Sequence, residues 1–251
     1  MIRAKKSLKK KKSDCYYKRT TDYGDGELEI MKYYCPNLGN HSARSPKSKK
    51  TAENIDKANQ RKREKELYGI FKLNFDAGDI HASLHYTQQP ESKECADKLL
   101  ANFHKRMRRV CKKINIPWEY VCNTEETKID KIHHHIVFPA KLLPYVTKAW
   151  EKVGKLNVCS RLWNNKDFKG LAKYFTDRSK SGTSSDKLEK NEKSYSCSQN
   201  LKRPKVTYQK VYASKWQKNP KAPKGYYVVA DSVYQSEEGL NYQIYTIKKL
   251  C

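Results

Sequence analysis

Apolar positions recur at helical spacing most clearly between Ser92 and Ile114. There Ala96, Leu99, Phe103, Met107, Val110 and Ile114 form one stripe and Lys105, Arg106, Arg108 and Arg109 occupy the other side. Upstream, Thr51 reads as the N-cap of a basic helix running to about Leu67, with Ala52, Ile55 and Ala58 on one face. The run IFKLNF (Ile70 to Phe75) then predicts a strand, Ala77-Gly78-Asp79 a turn, and IHASLHY a second strand. In the latter Ile80, Ala82 and Leu84 alternate with His81, Ser83 and His85. Beyond Pro117, WEYVCNTE and KIHHHIVF predict two further strands. A helix over Leu143 to Val153, with Val146, Ala149, Trp150 and Val153 inward, a short Val158–Leu162 strand and a helix from about Asp167 complete the series. Strand, strand, helix, strand, strand, helix predicts an α+β domain, an antiparallel sheet with helices packed on one face.

The flanks are patterned differently. Met1 to Arg19 predicts a solvated basic tail, and Leu28, Ile30, Tyr33 and Tyr34 a short apolar patch. Ser179 to Ser198 is rich in Ser, Lys and Gly and predicts a mobile loop, while Tyr226–Val229 and Tyr242–Ile247 predict C-terminal strands. The division expected is a basic N-terminal extension over residues 1–50, a catalytic domain over 51–180, and a loop with a β-rich accessory segment over 181–251.

Charge adds a partner to this picture. The 251 residues carry 53 Lys and Arg against 27 Asp and Glu, a formal net charge of +26. So basic a chain repels itself unless a polyanion neutralises it, which points to nucleic acid and leaves open whether the chain binds it or acts on it. The eight cysteines contain no Cys-x-x-Cys pair, which argues against a structural zinc finger. Their scatter and the lack of a signal peptide predict reduced thiols and a cytoplasmic setting. No apolar run has the length of a membrane span.

Candidate chemistry begins at Lys131 to Phe138. Alternation along a strand puts His133 and His135 on one face and Ile132, His134 and Ile136 on the other. Two imidazoles on one face of a buried strand can hold one divalent ion and leave positions open for substrate. If WEYVCNTE pairs with KIHHHIVF, Glu125 falls beside His133 as a third ligand; a slip of one residue would exchange it for Glu126. A run of three histidines also occurs as an incidental cluster, but the flanking Ile-Val-Phe and the upstream acid favour a site. His134 is expected to be hydrogen-bonded on the far face, and His81 and His85 to be structural.

A nucleophile must be chosen among 18 tyrosines. In KDFKGLAKYFTDRSK, Phe168, Leu171, Ala172 and Phe175 form the buried stripe, and Tyr174 lies about 100° from it at the flank of the core. Arg178, one turn on, shares its side and can hold a phosphate oxygen.

The order DAGDIHASLHY, TEETKIDKIHHHIVF, LAKYFTD resembles the HUH (His-hydrophobe-His) endonucleases. It is most similar to the replication-associated proteins of bacterial plasmids, phages and integrated elements, which include the gene II proteins of filamentous phages. The flanking segments from Arg44 to Phe75 and from Tyr195 to Val206 look like the same proteins. The resemblance implies a ferredoxin-like sheet of five antiparallel strands. It implies Mg²⁺ or Mn²⁺ on His133, His135 and Glu125, and Tyr174 as the single nucleophile that nicks and rejoins single-stranded origin DNA through a 5′-phosphotyrosine. Host polymerase and helicase are the implied partners and a bacterial cytoplasm the setting. The family commonly carries a lysine three residues after the tyrosine, where this chain has Asp177. Lys173, Arg178 and Lys180 are the nearby cations that can replace it, with Arg106 and Arg109 on the long helix as further DNA contacts. A mobilisation relaxase or single-tyrosine transposase is the alternative within this chemistry, and a non-catalytic basic nucleic-acid-binding protein the alternative outside it.

Overall fold

The computed structural model describes residues 15–35, 52–127, 131–162, 165–177, 194–211, 219–235 and 242–250. In chain order these form β1 (Cys15–Asp22), β2 (Glu27–Cys35), α1 (Ala52–Asn74), β3 (Ile80–Tyr86), α2 (Lys93–Lys113), β4 (Val121–Thr127) and β5 (Lys131–Phe138). There follow α3 (Leu143–Trp150), β6 (Gly154–Arg161), α4 (Lys169–Thr176), β7 (Ser196–Cys197), β8 (Lys205–Val211), β9 (Tyr226–Val228), β10 (Tyr234–Gln235) and β11 (Tyr242–Lys249). The architecture is α+β with antiparallel sheets, as the pattern predicts. Two compact units result, Thr51–Arg203 and a second built from Met1–Lys50 with Pro204–Cys251.

In the Thr51–Arg203 unit the sheet has five strands in the order β6-β3-β5-β4-β7, with β5 at its centre. One face carries Ile80, Ala82 and Leu84 of β3 and Ile132, Ile136 and Phe138 of β5, packed on Ala96, Phe103 and Met107 of α2 and Val146 and Trp150 of α3. The helices were expected on that face alone, but α4 lies against the other. The Phe175 and Tyr174 rings stand 5.6 and 5.9 Å from His81, and Phe71 of α1 packs edge-on against Phe168 and Phe175 at 6.0 and 5.7 Å.

The IFKLNF strand is corrected to helix, since α1 continues through Asn74. Leu67, Ile70 and Phe71 are fully buried at helical spacing, and Phe75 closes the last turn through a 3.0 Å bond from its N–H to Phe71 O. Six residues are too few for alternation to outweigh a stripe that begins a turn earlier. In α2 the element is as expected, with Ser92 capping it by accepting from Cys95 N at 3.3 Å. Its buried stripe is rotated, however, with Leu100 and Cys111 inward in place of Leu99 and Val110.

Helix α3 ends at Trp150, earlier than the expected Val153, because the chain must turn into β6 at Gly154. Trp150 Nε1 donates to His85 O at 3.0 Å, and a Cβ built on Gly154 would sit 1.7 Å from that same oxygen. Gly154→Ala is therefore expected to destabilise the unit by about 3 kcal/mol, at the upper end of overpacking, measured as the shift of the urea midpoint.

The second unit is a six-stranded sheet, β10-β11-β2-β1-β8 with β9 also on β11, around Ile30, Tyr245 and Ile247. The expected basic tail is thus corrected from Cys15 onward: β1 pairs with β2 through a turn containing Gly24, Asp25 and Gly26, all at positive φ. Residues 1–14, Thr51 and the greater part of the expected 179–198 loop lie outside the described residues. Among the described residues no helix is long and apolar enough to cross a membrane.

Candidate metal and tyrosine site

Pairing of β5 with its neighbours assembles the polar face. Across β3, Ser83 stands opposite His135 and His85 opposite His133. Across β4, Asn123 stands opposite His135 and Glu125 opposite His133. The register puts Glu126 opposite Ile132, on the apolar face, so Glu125 is the acid that shares the face of His133 and His135.

Glu125 Oε2 lies 3.5 Å from His135 Nε2 and 3.7 Å from His133 Nε2. All three residues are buried, at 6, 5 and 8 % exposure for Glu125, His133 and His135, and their ligand atoms fall within 4.8 Å of one another. Tyr174, half-buried on α4, places Oη 2.7 Å from His135 Nε2. The four residues singled out in the sequence therefore converge. The donor set, two imidazoles and a carboxylate, suits a divalent cation. Each His Nδ1 has an acceptor behind it, Lys131 O at 3.4 Å for His133 and His81 Nε2 at 3.2 Å for His135, which turns both Nε2 atoms toward Glu125. Asn123, on the same face, leaves its buried Oδ1 without a hydrogen-bond partner. These residues fit the ion.

The charged groups of the cluster shift one another. Burial disfavours the imidazolium of His135, but Cys159 and Glu125 outweigh it and push its pKa up to about 9. Burial and the adjacent His135 hold His133 below the usual histidine range. The Tyr174 phenol is pushed up, first by burial and then by the Glu125 carboxylate. His81, buried beside His135, is held down to about 4 and stays neutral.

His134 takes the far-face role expected of it. Its Nδ1 lies 2.9 Å from Thr124 Oγ1 and its Nε2 lies 2.6 Å from the Tyr86 hydroxyl, which donates to Ala96 O. Burial lowers its pKa to about 3, so the buried network is neutral. His81 and His85, expected to be purely structural, lie on the site face; His85 stacks on His133 at 5.2 Å. Antiparallel parity with His133 and His135 is the signal that could have placed them there.

Among the candidate DNA contacts, Lys173 is exposed on α4, while Arg178 and Lys180 lie outside the described residues. Arg106 and Arg109 belong to α2, on the opposite face of the sheet, and Arg106 Nε donates to Ala149 O at 3.2 Å at the end of α3. Asp177, where lysine is usual in the resembled family, is the residue at which α4 ends.

An antiparallel five-stranded α+β domain with a His-His-Glu cluster beneath a helical tyrosine is the class these features define. Residues 80–181, from β3 through α4, match the family model of the replication-associated proteins of the ORF2 and gene II protein type, so this segment is similar to replication-associated proteins. No curated protein and no solved structure matches the chain.

Proposed function

We propose that this chain is a metal-dependent DNA-nicking and rejoining enzyme that initiates rolling-circle replication, with Tyr174 as nucleophile and Glu125, His133 and His135 as metal ligands. The observation that carries this reading is the 2.7 Å approach of Tyr174 Oη to an imidazole that also faces Glu125 and His133. When bound there, Mg²⁺ or Mn²⁺ supplies positive charge that polarises the scissile phosphate and favours the phenolate. Tyr174 Oη, held on a helix over the sheet, is positioned to attack the phosphorus in line. The phenol loses its proton, the oxygen–phosphorus bond forms and the bond to the 3′ oxygen breaks. That oxygen takes up a proton and leaves as a 3′-hydroxyl, with the 5′-phosphate on Tyr174. Attack by an incoming 3′-hydroxyl reverses the step, so no nucleotide cofactor is required.

The charge of +26 supports a nucleic-acid substrate, and the similarity of residues 80–181 to replication-associated proteins supports replication as its setting. A labelled single strand bearing the origin of the element that encodes the chain should be cut in Mn²⁺ and left whole in excess EDTA, with the downstream fragment linked to protein through its 5′ end on denaturing gels. A strand bound but intact under both conditions would make the chain a non-catalytic binding protein.

A further inference from the structure

Strand β6 does not pair evenly with β3. Ser160 stands opposite His81 and Val158 opposite Ala82, so Cys159 is an extra residue, a β-bulge at an otherwise regular edge. Bulges of this kind re-aim a side chain beside functional sites. Here the bulge brings the Cys159 thiol to the His135 side of the sheet, where His81, His135 and Cys159 offer ligand atoms within 4.8 Å of one another. Cys159 is an exposed free thiol, so an ion can reach it.

We propose that His81, His135 and Cys159 form a second metal site, selective for a thiophilic ion such as Zn²⁺ or Co²⁺, that competes with the Glu125–His133–His135 site for His135.

The chemistry of the two sets differs. Glu125 with two imidazoles is an oxygen and nitrogen set open to Mg²⁺ or Mn²⁺, whereas one thiolate with two imidazoles is a set that Zn²⁺ and Co²⁺ prefer. The 3.2 Å between His81 Nε2 and His135 Nδ1 is close to the ~3.3 Å expected of two nitrogens on one tetrahedral ion with bonds near ~2.0 Å. Coordination displaces the thiol proton to solvent and leaves a fourth position for water.

Competition follows from the two nitrogens of one ring. Binding at Glu125 and His133 uses the His135 Nε2 lone pair and keeps the proton on Nδ1, facing His81. Binding at His81 and Cys159 uses Nδ1 and moves that proton to Nε2, facing Glu125. A neutral imidazole offers only one lone pair at a time. Occupation by a thiophilic ion therefore withdraws His135 from the first site.

The test uses the full chain and two metal-binding readouts, so it can fail or succeed independently of nicking. Co²⁺ added to the wild type should produce a thiolate-to-cobalt absorption band in the near ultraviolet. Cys159→Ser, a near-isosteric change at an exposed position, should lose that band while its melting curve stays that of the wild type. With Mn²⁺ loaded first, Zn²⁺ should release Mn²⁺, followed by its electron paramagnetic resonance, and the variant should need at least about tenfold more Zn²⁺ for the same release. A band of equal strength in Cys159→Ser, or no band in the wild type, would overturn the proposal. So would Mn²⁺ release at the same Zn²⁺ concentration in both proteins.

Discussion

Tyr174→Phe should bind single-stranded origin DNA with the wild-type affinity and form no covalent adduct with it. The substitution removes one oxygen and keeps the ring that packs edge-on to His135 at 5.1 Å and Phe175 at 5.8 Å. Stability is expected to change little, because Tyr174 lies at the flank of the stripe that buries Ala172 and Phe175. It removes the hydroxyl that lies 2.7 Å from His135 Nε2, a phenol that burial and Glu125 keep neutral. Strand cleavage should fall by at least about a thousandfold, since without the phenol oxygen no bond to phosphorus can form and what remains is binding and positioning. Denaturing gels of labelled strand give adduct and cleavage together, and a melting curve checks the fold. An adduct formed at the wild-type rate would remove Tyr174 from the role and send the search to the other tyrosines.

The sequence carried this site farther than it carried the fold around it. Parity alone separates His133 and His135 from His134, because side chains alternate along a strand whatever its neighbours are. Placing Glu125 beside His133 needed the β4–β5 register, in which each strand has one apolar and one polar face. Helix and strand compete within a run as short as Ile70 to Phe75, and burial of Leu67, Ile70 and Phe71 decided for helix. Pairing of β1 and β2 with β8 and β11 joins segments far apart in the chain, and local pattern has no access to such pairs. The bulge at Cys159 is equally hidden, since one extra residue leaves the composition of β6 unchanged. A helical wheel likewise puts Arg106 on the polar side of α2 and cannot show that its Nε donates to Ala149 O.

Glu125→Gln should weaken the binding of a divalent ion while leaving the sheet intact. Glutamine keeps the shape of the side chain and a carbonyl oxygen but removes the only anionic group of the cluster, whose two other members are imidazoles. Mn²⁺ affinity, read by calorimetry, is expected to fall by about a hundredfold, the upper range for disturbing the surroundings of a metal centre and a floor for losing a ligand. The same change reports on His135. Its pKa of about 9 is raised by Cys159 and Glu125 against the opposing pull of burial, so loss of the carboxylate should lower it, visible in the ring-proton shifts of the metal-free protein. The pH dependence then has a definite sign. A histidine whose folded pKa lies above its unfolded value of about 6.5 contributes stability that is complete below 6.5 and lost as pH rises through about 9. Metal binding requires the neutral ring and therefore strengthens over that same interval. The rise in melting temperature on adding Mn²⁺ should accordingly be larger near pH 8.5 than near pH 6.5 in the wild type, and nearly flat in Glu125→Gln. An Mn²⁺ effect of equal size in both proteins would place the ion somewhere other than between Glu125, His133 and His135.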